Sequence, residues 1–478
     1  MSPEQDRETI VAIATAPGAG AIGIVRLSGP EARRVLGRLF RPAAADFTDF
    51  RPWVLHRGRV LDACDQPLDD VLAVFMPGPR TFSGEDMAEI QCHGGPLMVQ
   101  AVLESALQHG ARPAARGEFS HRGFCNGRMD LSQAEAVAEL IAAPSREALR
   151  YGLNRLDGLL GRRTAALRQA LEALRARVCL AVDFPEDEVE DLPLADFAVA
   201  VDGVADAVRG LLAGQRRARL MQQGALVVLA GAVNAGKSSL LNALLGRNRA
   251  LVTDLPGTTR DFLEEACDLD GLPVRLTDTA GLRHATGAVE ALGVARSREK
   301  LAEADAVVLV LDGGSLGEAG AAAAVCPDAA AAEVRAVFVS PRCRPCWAWL
   351  YPVWNKCDLC LPRVFPPRWL GPHPCCAVSA LSGTHMEALA ASLRELLLGA
   401  AAGDVGEGGL APNRRQALAL EHALAELELL RGDILEGRPY DCCAVRLDTA
   451  AAHLGEVTGL DTPAQVLNAI FDQFCIGK

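Results

Sequence analysis

The segment GAVNAGKSS at 231–239 constrains the fold of this chain more than any other feature. It fits the pattern G-x-x-x-x-G-K-S, follows the apolar run ALVVLA and precedes SLLNALLG, which has helical periodicity. Glycines in such a turn let backbone N–H groups converge on phosphate oxygens, while Lys237 adds positive charge and Ser238 offers a hydroxyl ligand for Mg²⁺. The segment therefore predicts a strand, a phosphate-binding loop and a helix, which together begin an α/β nucleotide-binding domain.

Later motifs predict that the nucleotide carries guanine. VRLTDTAGL places Asp278 at the end of a second buried strand, suited to support the metal, and Gly281 offers an amide to the γ-phosphate. GTTRD supplies Thr259 as a second hydroxyl ligand of Mg²⁺, which would be released after hydrolysis. In NKCD, Asp358 can accept two hydrogen bonds from guanine, whereas adenine offers no such pair of donors. SAL at 379–381 fits the loop that closes over the base.

The predicted nucleotide contacts comprise the phosphate loop, two switch segments and the base-recognition loops. They are Asn234, Ala235, Gly236, Lys237, Ser238, Ser239, Thr253, Asp254, Leu255, Pro256, Gly257, Thr258, Thr259, Asp278, Thr279, Ala280, Gly281, Asn355, Lys356, Cys357, Asp358, Ser379, Ala380 and Leu381. Leu282 is unusual, because Ras-like switches place a glutamine there to orient the attacking water. Either hydrolysis is slow or other groups orient that water.

Length and composition limit the class of protein. With 478 residues, 50% of them hydrophobic, the chain can bury more than one core, which excludes a disordered protein and favours two to four domains. A net charge of -12 argues against a surface that is basic all over, so a nucleic acid must meet a local patch or a partner protein. The first residues do not show the basic and then apolar pattern of a secretory signal. We therefore expect the 15 cysteines to be reduced thiols and the protein to be cytoplasmic.

Hydrophobic periodicity suggests how the chain is divided. Short β-rich runs and turns predict an α/β domain at the start, and apolar residues from Leu153 to Val178 recur with the period of one long amphipathic helix. Helical periodicity returns after a glycine-rich stretch at 399–413, so an α/β domain is inserted between two helical stretches that pack together. The predicted domains are 1–125, a discontinuous helical domain at 126–220 and 405–478, and an inserted domain at 221–400.

Over nearly its full length the sequence resembles the MnmE, or TrmE, family of tRNA-modifying GTPases. The specific segments are TIVAIATAPGAGAIGIVRLSGP, FSGEDMAEIQCHGGP, RGEFSHRGFCNGRMDLSQAEAV and the final FCIGK, none of which belongs to GTPases in general. The resemblance implies a multidomain α/β and all-α protein. Its parts would be an N-terminal α/β domain for tetrahydrofolate binding and dimerisation, a helical bundle domain, and an inserted Ras-like P-loop GTPase domain with a doubly wound sheet.

The family resemblance also implies a potassium-dependent catalytic arrangement. The GTPase domains of a homodimer would meet across their nucleotide faces when GTP, Mg²⁺ and K⁺ are bound, with K⁺ supplying the charge of an arginine finger. Asn234 matches the potassium ligand of the family, and Thr253, Leu255 and Thr258 occupy the loop around the ion. Glu290 matches the acidic residue that orients the hydrolytic water, which would compensate for the missing glutamine.

Four residues match the tetrahydrofolate site of the family: Arg26, Glu89, Arg128 and Lys478. A carboxylate suits the amide and amine edge of a pterin, and cations suit the glutamate tail of a 5-formyl- or methylene-tetrahydrofolate. The resemblance implies that the final residues return to this site. Cys475 is then either a nucleophile or acid/base in uridine chemistry, or a packed structural residue.

The activity implied by the resemblance is tRNA modification. With an FAD-containing partner, MnmG, in a heterotetrameric complex, the protein would add an aminomethyl or carboxymethylaminomethyl group to C5 of the wobble uridine, while GTP hydrolysis drives domain movement. A ribosome-assembly GTPase is an alternative, although no basic RNA-binding module is evident. A free-standing folate-dependent aminomethyltransferase is another, but it leaves the GTPase domain without a role.

Two further patterns have competing interpretations. Cys343-x-x-Cys346 and Cys357-x-x-Cys360 resemble a four-thiolate zinc site, but Cys357 lies within NKCD, where a metal would compete with base recognition. Free thiols in an irregular loop are the alternative. His93, beside two glycines, is either catalytic or a support for a turn.

Overall fold

The computed structural model describes most of the chain. The described residues are 8–183, 194–231, 234–247, 264–278, 300–301, 303–313, 350–359, 374–399, 410–460 and 462–477. They form two compact units, the first drawn from 1–138, 155–209 and 418–478 and the second from 139–154 and 210–417. This division does not locate a boundary near residue 125, so the three predicted domains stay a prediction.

Strands and helices are numbered in chain order. The strands are β1 (Ile10–Ile13), β2 (Ile22–Ser28), β3 (Phe40–Pro42), β4 (His56–Leu61), β5 (Pro67–Met76), β6 (Met87–His93), β7 (Arg112–Pro113), β8 (Ala225–Gly231), β9 (Glu264–Leu269), β10 (Leu272–Asp278), β11 (Ala306–Asp312), β12 (Leu350–Asn355) and β13 (Cys376–Ala377). The helices are α1 (Ala32–Leu39), α2 (Pro96–Gln108), α3 (Glu118–Cys125), α4 (Leu131–Ile141), α5 (Arg146–Leu156), α6 (Leu159–Asp183), α7 (Leu194–Ala213), α8 (Gln215–Gln223), α9 (Lys237–Arg247), α10 (Met386–Leu398), α11 (Arg414–Leu435), α12 (Tyr440–Thr458) and α13 (Ala464–Phe471). No helix in the described ranges is long and apolar enough to cross a membrane.

The first unit contains a sheet in the order β3-β4-β5-β6-β2-β1-β7. Its pairs are antiparallel except for β1 with β7. Because side chains alternate along a strand, Val25 and Leu27 face one side and pack with apolar residues of α1 and α2. Ile10 and Met87 pack on the opposite side with Phe119 of α3. That second face carries the polar residues described below.

Helices from both sides of the inserted segment pack together in the first unit, as the sequence predicts. Helix α6 packs along α12, and Arg175 pairs with Asp448 at 2.6 Å. Helix α7 is joined to α11 by an ion pair between Arg431 and Asp202 at 2.7 Å. The two residues of each ion pair are more than 200 positions apart in sequence, so helices from before and after the predicted inserted domain contact each other.

The predicted single long helix is wrong at its start, because the periodic stretch is divided into α5 and α6. Gly158 lies between them with a φ of +71°, a left-handed conformation that ends a helix and that glycine adopts without a steric penalty. Leu153, assigned to the buried stripe, is 53% exposed. Further along the stripe Leu160, Leu171, Leu174 and Val178 are buried as predicted, and Leu167 is half-buried.

The second unit is built around a sheet in the order β13-β12-β11-β8-β10-β9. All pairs are parallel except that of β10 with the edge strand β9. The central strands are apolar and buried on both faces, which is typical of parallel sheets covered by helices. Parallel strands deliver their carboxyl ends to the same edge of the sheet, where ligands bind in open α/β sheets. The predicted doubly wound domain is confirmed.

Candidate functional site

The phosphate-loop motif lies at the carboxyl end of the central strand β8. Gly231 ends this strand with a φ of +152°, and a Cβ atom there would lie 2.2 Å from the carbonyl oxygen of Val310, so only glycine fits. Helix α9 begins at Lys237, whose side chain is buried and donates from Nζ to the Gly231 carbonyl oxygen at 3.0 Å. The lysine side chain thus returns to the end of strand β8.

Ser238 and Asp278 come together beside the phosphate loop. Strand β10 is the parallel neighbour of β8 and ends at Asp278. The Ser238 hydroxyl donates to Asp278 Oδ2 at 2.7 Å. Hydroxyl and carboxylate oxygens are the hard ligands that Mg²⁺ prefers, so this pair fits a magnesium site of the predicted kind.

Asn355 connects the phosphate loop with both base-recognition loops. From the end of β12 its amide nitrogen donates to the carbonyl oxygens of Ala235 at 3.1 Å and Gly236 at 3.4 Å. Its amide oxygen accepts a hydrogen bond from the backbone N–H of Ala380 at 3.1 Å. A Cβ atom on Gly236 would lie 2.2 Å from the Asn355 amide nitrogen, which explains the second glycine of the motif. Three segments far apart in sequence are thereby fixed to one another.

The base-recognition residues lie around Asn355. Cys357 donates its backbone N–H to the Val378 carbonyl oxygen at 3.1 Å, which holds NKCD beside the SAL segment. Asp358 is exposed, and its carboxylate is open to a base. Ser379 is buried and its hydroxyl accepts from the backbone N–H of Ser382 at 3.2 Å, which shapes the turn.

Several predicted site residues lie outside the described residues, and so do three cysteines of the zinc pattern. They are Thr253, Asp254, Leu255, Pro256, Gly257, Thr258, Thr259, Thr279, Ala280, Gly281, Glu290, Lys478, Cys343, Cys346 and Cys360. Among the described residues, no group of three or more His, Cys, Asp or Glu side chains is placed to hold a metal ion. No disulfide bond joins the described cysteines.

Arg26 and Glu89 form an ion pair on the polar face of the first unit. They are cross-strand partners in the register of β2 with β6, and Arg26 Nε donates to Glu89 Oε1 at 2.8 Å. Each side chain is 18% exposed, so both remain accessible to a ligand. Arg128 is exposed and donates from Nε to the Thr81 carbonyl oxygen at 2.9 Å. The structure thus places three of the four predicted folate residues in one unit.

A buried ionic network, which the sequence did not indicate, supports this face. Glu118 on α3 accepts hydrogen bonds from Arg112 at 2.6 Å and from Arg122 at 2.9 Å. Arg122 also binds Glu85 at 2.9 Å, and Glu85 accepts from the Ser28 hydroxyl at 2.7 Å. Burial alone raises the pKa of Glu118, but hydrogen bonds from Arg112, a backbone N–H group and Arg122 hold it below its usual range. The network fixes α3 and the loop carrying Glu85 against β2.

The C-terminal residues pack against the same unit. Phe471 and Phe474 form an apolar cluster with Phe124. Gly477 has a φ of +95°, and a Cβ atom there would lie 2.2 Å from the carbonyl oxygen of Ile13, at the end of β1. Cys475 lies between these two anchors with its side chain exposed. Gly477 therefore lies beside β1, the strand that neighbours β2.

His93 is held by a carboxylate at the end of β6. Its Nδ1 lies 2.7 Å from Asp69 Oδ1, and its backbone N–H donates to Asp69 Oδ2 at 2.8 Å. Both oxygens of the Asp69 carboxylate are therefore used in fixing the strand end. This arrangement supports the structural interpretation of His93.

The parallel sheet, the phosphate loop and the base-recognition loop together define a P-loop protein of the guanine-nucleotide-binding class. Residues 9–128 match the family profile described as the GTP-binding protein TrmE N-terminus, and residues 131–475 match that of the MnmE helical domain. The tRNA modification GTPase MnmE of Nitratidesulfovibrio vulgaris strain DP4 is 53% identical over 477 residues, covering 99% of this chain and 100% of that protein. The protein of the same name from Lawsonia intracellularis is 44% identical, covering 98% and 100%.

This chain belongs to the MnmE family of tRNA modification GTPases. Among solved structures, the G domain of the T. maritima FeoB iron transporter aligns with 36% of this chain and 98% of its own at 23% identity. The TM-score of 0.24 is too low to add to the assignment.

Proposed function

We propose that this protein hydrolyses GTP and couples hydrolysis to the modification of tRNA, as the names of its relatives indicate. The observation that carries the proposal is the meeting of Lys237, Ser238, Asp278 and Asn355 at one edge of the parallel sheet. Such an edge offers amide groups and a lysine to phosphates, and a hydroxyl and a carboxylate to Mg²⁺. Because the proposed substrate is tRNA, we place the activity in the cytoplasm.

Guanine specificity is assigned to Asp358. The exposed Asp358 carboxylate can accept hydrogen bonds from two donors of guanine. Adenine offers no such pair of donors, so binding adenine would remove water from the carboxylate without replacing its hydrogen bonds. Exchanging Asp358 for asparagine replaces one acceptor oxygen by a donor. We therefore expect Asp358→Asn to lose affinity for GDP and gain affinity for xanthosine diphosphate in a fluorescence competition assay. If Asp358→Asn bound GDP as tightly as the wild-type protein does, the assignment would be contradicted.

Hydrolysis is assigned to groups around the phosphates. Ser238 and Thr259 would bind Mg²⁺, while Asn234, Thr253, Leu255 and Thr258 would surround K⁺ in a homodimer, and Glu290 would orient the water. Mg²⁺ and K⁺ stabilise charge that develops on the transferred phosphoryl group. Turnover in K⁺ should therefore exceed turnover in Na⁺, because the smaller ion does not match the same ligand cage. Equal GTP hydrolysis in the two salts would exclude the potassium assignment.

Folate binding is assigned to the polar face of the first unit. Arg26, Glu89, Arg128 and Lys478 would hold a tetrahydrofolate derivative, and the exposed Cys475 would act in the uridine chemistry. Both charges of the Arg26–Glu89 pair are partly exposed, so a pterin and a carboxylate tail can exchange hydrogen bonds with them. Isothermal titration with 5-formyltetrahydrofolate tests this site, with Arg59→Gln, which replaces an exposed side chain of strand β4, as a control that should bind normally.

The reaction assigned to the whole protein is made with the FAD-containing partner MnmG. A carbon derived from tetrahydrofolate would be added to C5 of the wobble uridine of certain tRNAs, giving an aminomethyl or carboxymethylaminomethyl group. Mass spectrometry of tRNA nucleosides from cells lacking this protein is the direct test. We expect the modified uridine to disappear and to return with the wild-type gene but not with Cys475→Ser. Unchanged wobble uridines would reject the assignment, and a ribosome-assembly GTPase, which would not bind folate, would then be favoured.

A further inference from the structure

Asp312 and Lys356 form an ion pair next to the phosphate loop. Lys356 Nζ donates to Asp312 Oδ2 at 2.7 Å. The lysine side chain is 33% exposed and the aspartate side chain 29% exposed. A pair at this depth is partly desolvated, so it is stronger than a pair on the open surface, yet dissolved salt still reaches and screens it.

The backbone brings the two charges together. In the register of β11 with β12, Asp312 is the partner of Asn355, so its carboxylate lies across the ladder from the residue just before Lys356. Lys356 has a φ of +63°, which turns its side chain out of the direction of the strand. A Cβ atom on Gly313 would lie 2.7 Å from the Asn355 carbonyl oxygen, so the two strand ends approach closely. The ion pair is therefore specified by the close approach of β11 and β12.

The lysine stem lies against the phosphate loop. A Cβ atom on Gly236 would lie 4.0 Å from Lys356 Cε, while the preceding Asn355 binds the Gly236 carbonyl oxygen. Asp358, assigned to guanine, follows two residues later. Lys356 thus lies between the phosphate-binding and the base-binding parts of the site, and Asp312 holds its charged end.

We propose that Asp312 is a positioning residue for the nucleotide: by binding the Lys356 ammonium it keeps the lysine stem fixed as one wall of the site and so slows nucleotide release. This inference rests on the proposed guanine-nucleotide function. A lysine has many rotamers, and ordering it only when a nucleotide arrives would cost free energy of binding. Asp312 prepares that order in advance, without touching the nucleotide itself.

The test is the release of a fluorescent GDP from full-length protein carrying Asp312→Asn, which keeps the side-chain shape but removes the charge. We expect release about three- to tenfold faster than from wild type, the effect of losing a partly buried ion pair. The hydrolysis rate at saturating GTP should stay unchanged, since Asp312 acts on binding. The difference between the proteins should shrink at high salt, because salt screens the wild-type pair. Asp312→Glu should recover part of the slow release.

A matched control is Glu147→Gln, which breaks the ion pair of Glu147 with Arg217 at 3.0 Å in the same unit. The side chains of that pair have a similar exposure, 28% and 17%, and they have no assigned role in binding, so release should match wild type. A change in release through general loss of stability would appear in this variant as well.

A double-mutant cycle identifies the partner through which Asp312 acts. Lys356→Met breaks the same pair from the other side, so adding Asp312→Asn to it should not accelerate release further. Unaltered release from either single variant, or an equal effect of Asp312→Asn with and without the lysine, would overturn the inference. Failure of the wild-type protein to bind GDP would instead reject the proposed function.

Discussion

Replacing Asn355 by alanine removes a side chain that holds the phosphate loop to the base-recognition loops. The residue is 2% exposed. Its amide donates to the carbonyl oxygens of Ala235 and Gly236 at 3.1 and 3.4 Å and accepts from the Ala380 N–H at 3.1 Å. Alanine supplies none of these hydrogen bonds, and the three backbone groups lose their partner on Asn355.

The magnitude follows from the geometry. Two bonds have normal length and one is long, and a buried hydrogen bond contributes about 1 kcal/mol net, with a further penalty for backbone groups left without partners. We therefore expect the free energy of unfolding to fall by about 2–3 kcal/mol. Because the phosphate loop would then be ordered only on binding, affinity for GDP should fall at least about tenfold.

Urea unfolding of the ligand-free protein measures the first quantity, and titration with fluorescent GDP measures the second. Asn413→Ala is the matched control, since Asn413 Oδ1 accepts from the backbone N–H of Gln416 at 2.9 Å at the start of α11. Loss of that helix cap should cost about 1 kcal/mol of stability without weakening GDP binding. If Asn355→Ala bound GDP as tightly as wild type, the claim that this side chain organises the loops would be refuted.

Three further results are expected. Folding lowers the pKa of Glu118, so this carboxylate stabilises the folded protein fully at pH values above its pKa in the unfolded chain. That stability is lost as the pH falls through the pKa that Glu118 has in the folded protein. Acid unfolding of Glu118→Gln should therefore depend less steeply on pH than acid unfolding of the wild type. Gly477→Ala places a Cβ atom against the Ile13 carbonyl oxygen and adds about 1–3 kcal/mol of strain, so carboxypeptidase should trim its tail faster than that of wild type. Burial, with a smaller effect of a neighbouring carboxylate, raises the pKa of Cys267 to about 12, so brief treatment with iodoacetamide should label the exposed Cys475 and leave Cys267 unlabelled in peptide mass spectra.

The nucleotide site could be predicted to a large extent because its residues occur in contiguous motifs. In the segment around Lys237, the order of strand, glycines and helix is itself the mechanism of phosphate binding. The Arg26–Glu89 pair could not be found in this way, since its members are 63 residues apart and pair only through the register of β2 with β6. Family resemblance indicated those two residues, and strand pairing explains why they meet.

The sequence also misled in one place. Apolar spacing continues through Leu153, but the left-handed Gly158 lies at a break that divides the stretch into two helices. A single glycine in a helical pattern does not reveal its own φ, because that angle is decided by what packs on either side.

The sequence by itself determined the local chemistry: a glycine turn suited to phosphate, a carboxylate suited to guanine, and apolar strands that must be buried together. Tertiary structure alone decided which distant charges meet, as in Asp312 with Lys356 and Glu118 with its two arginines. The physical reason is the distance along the chain over which each interaction acts. A motif specifies backbone conformation over a few residues, whereas an ion pair between strands or helices exists only after folding has fixed their separation.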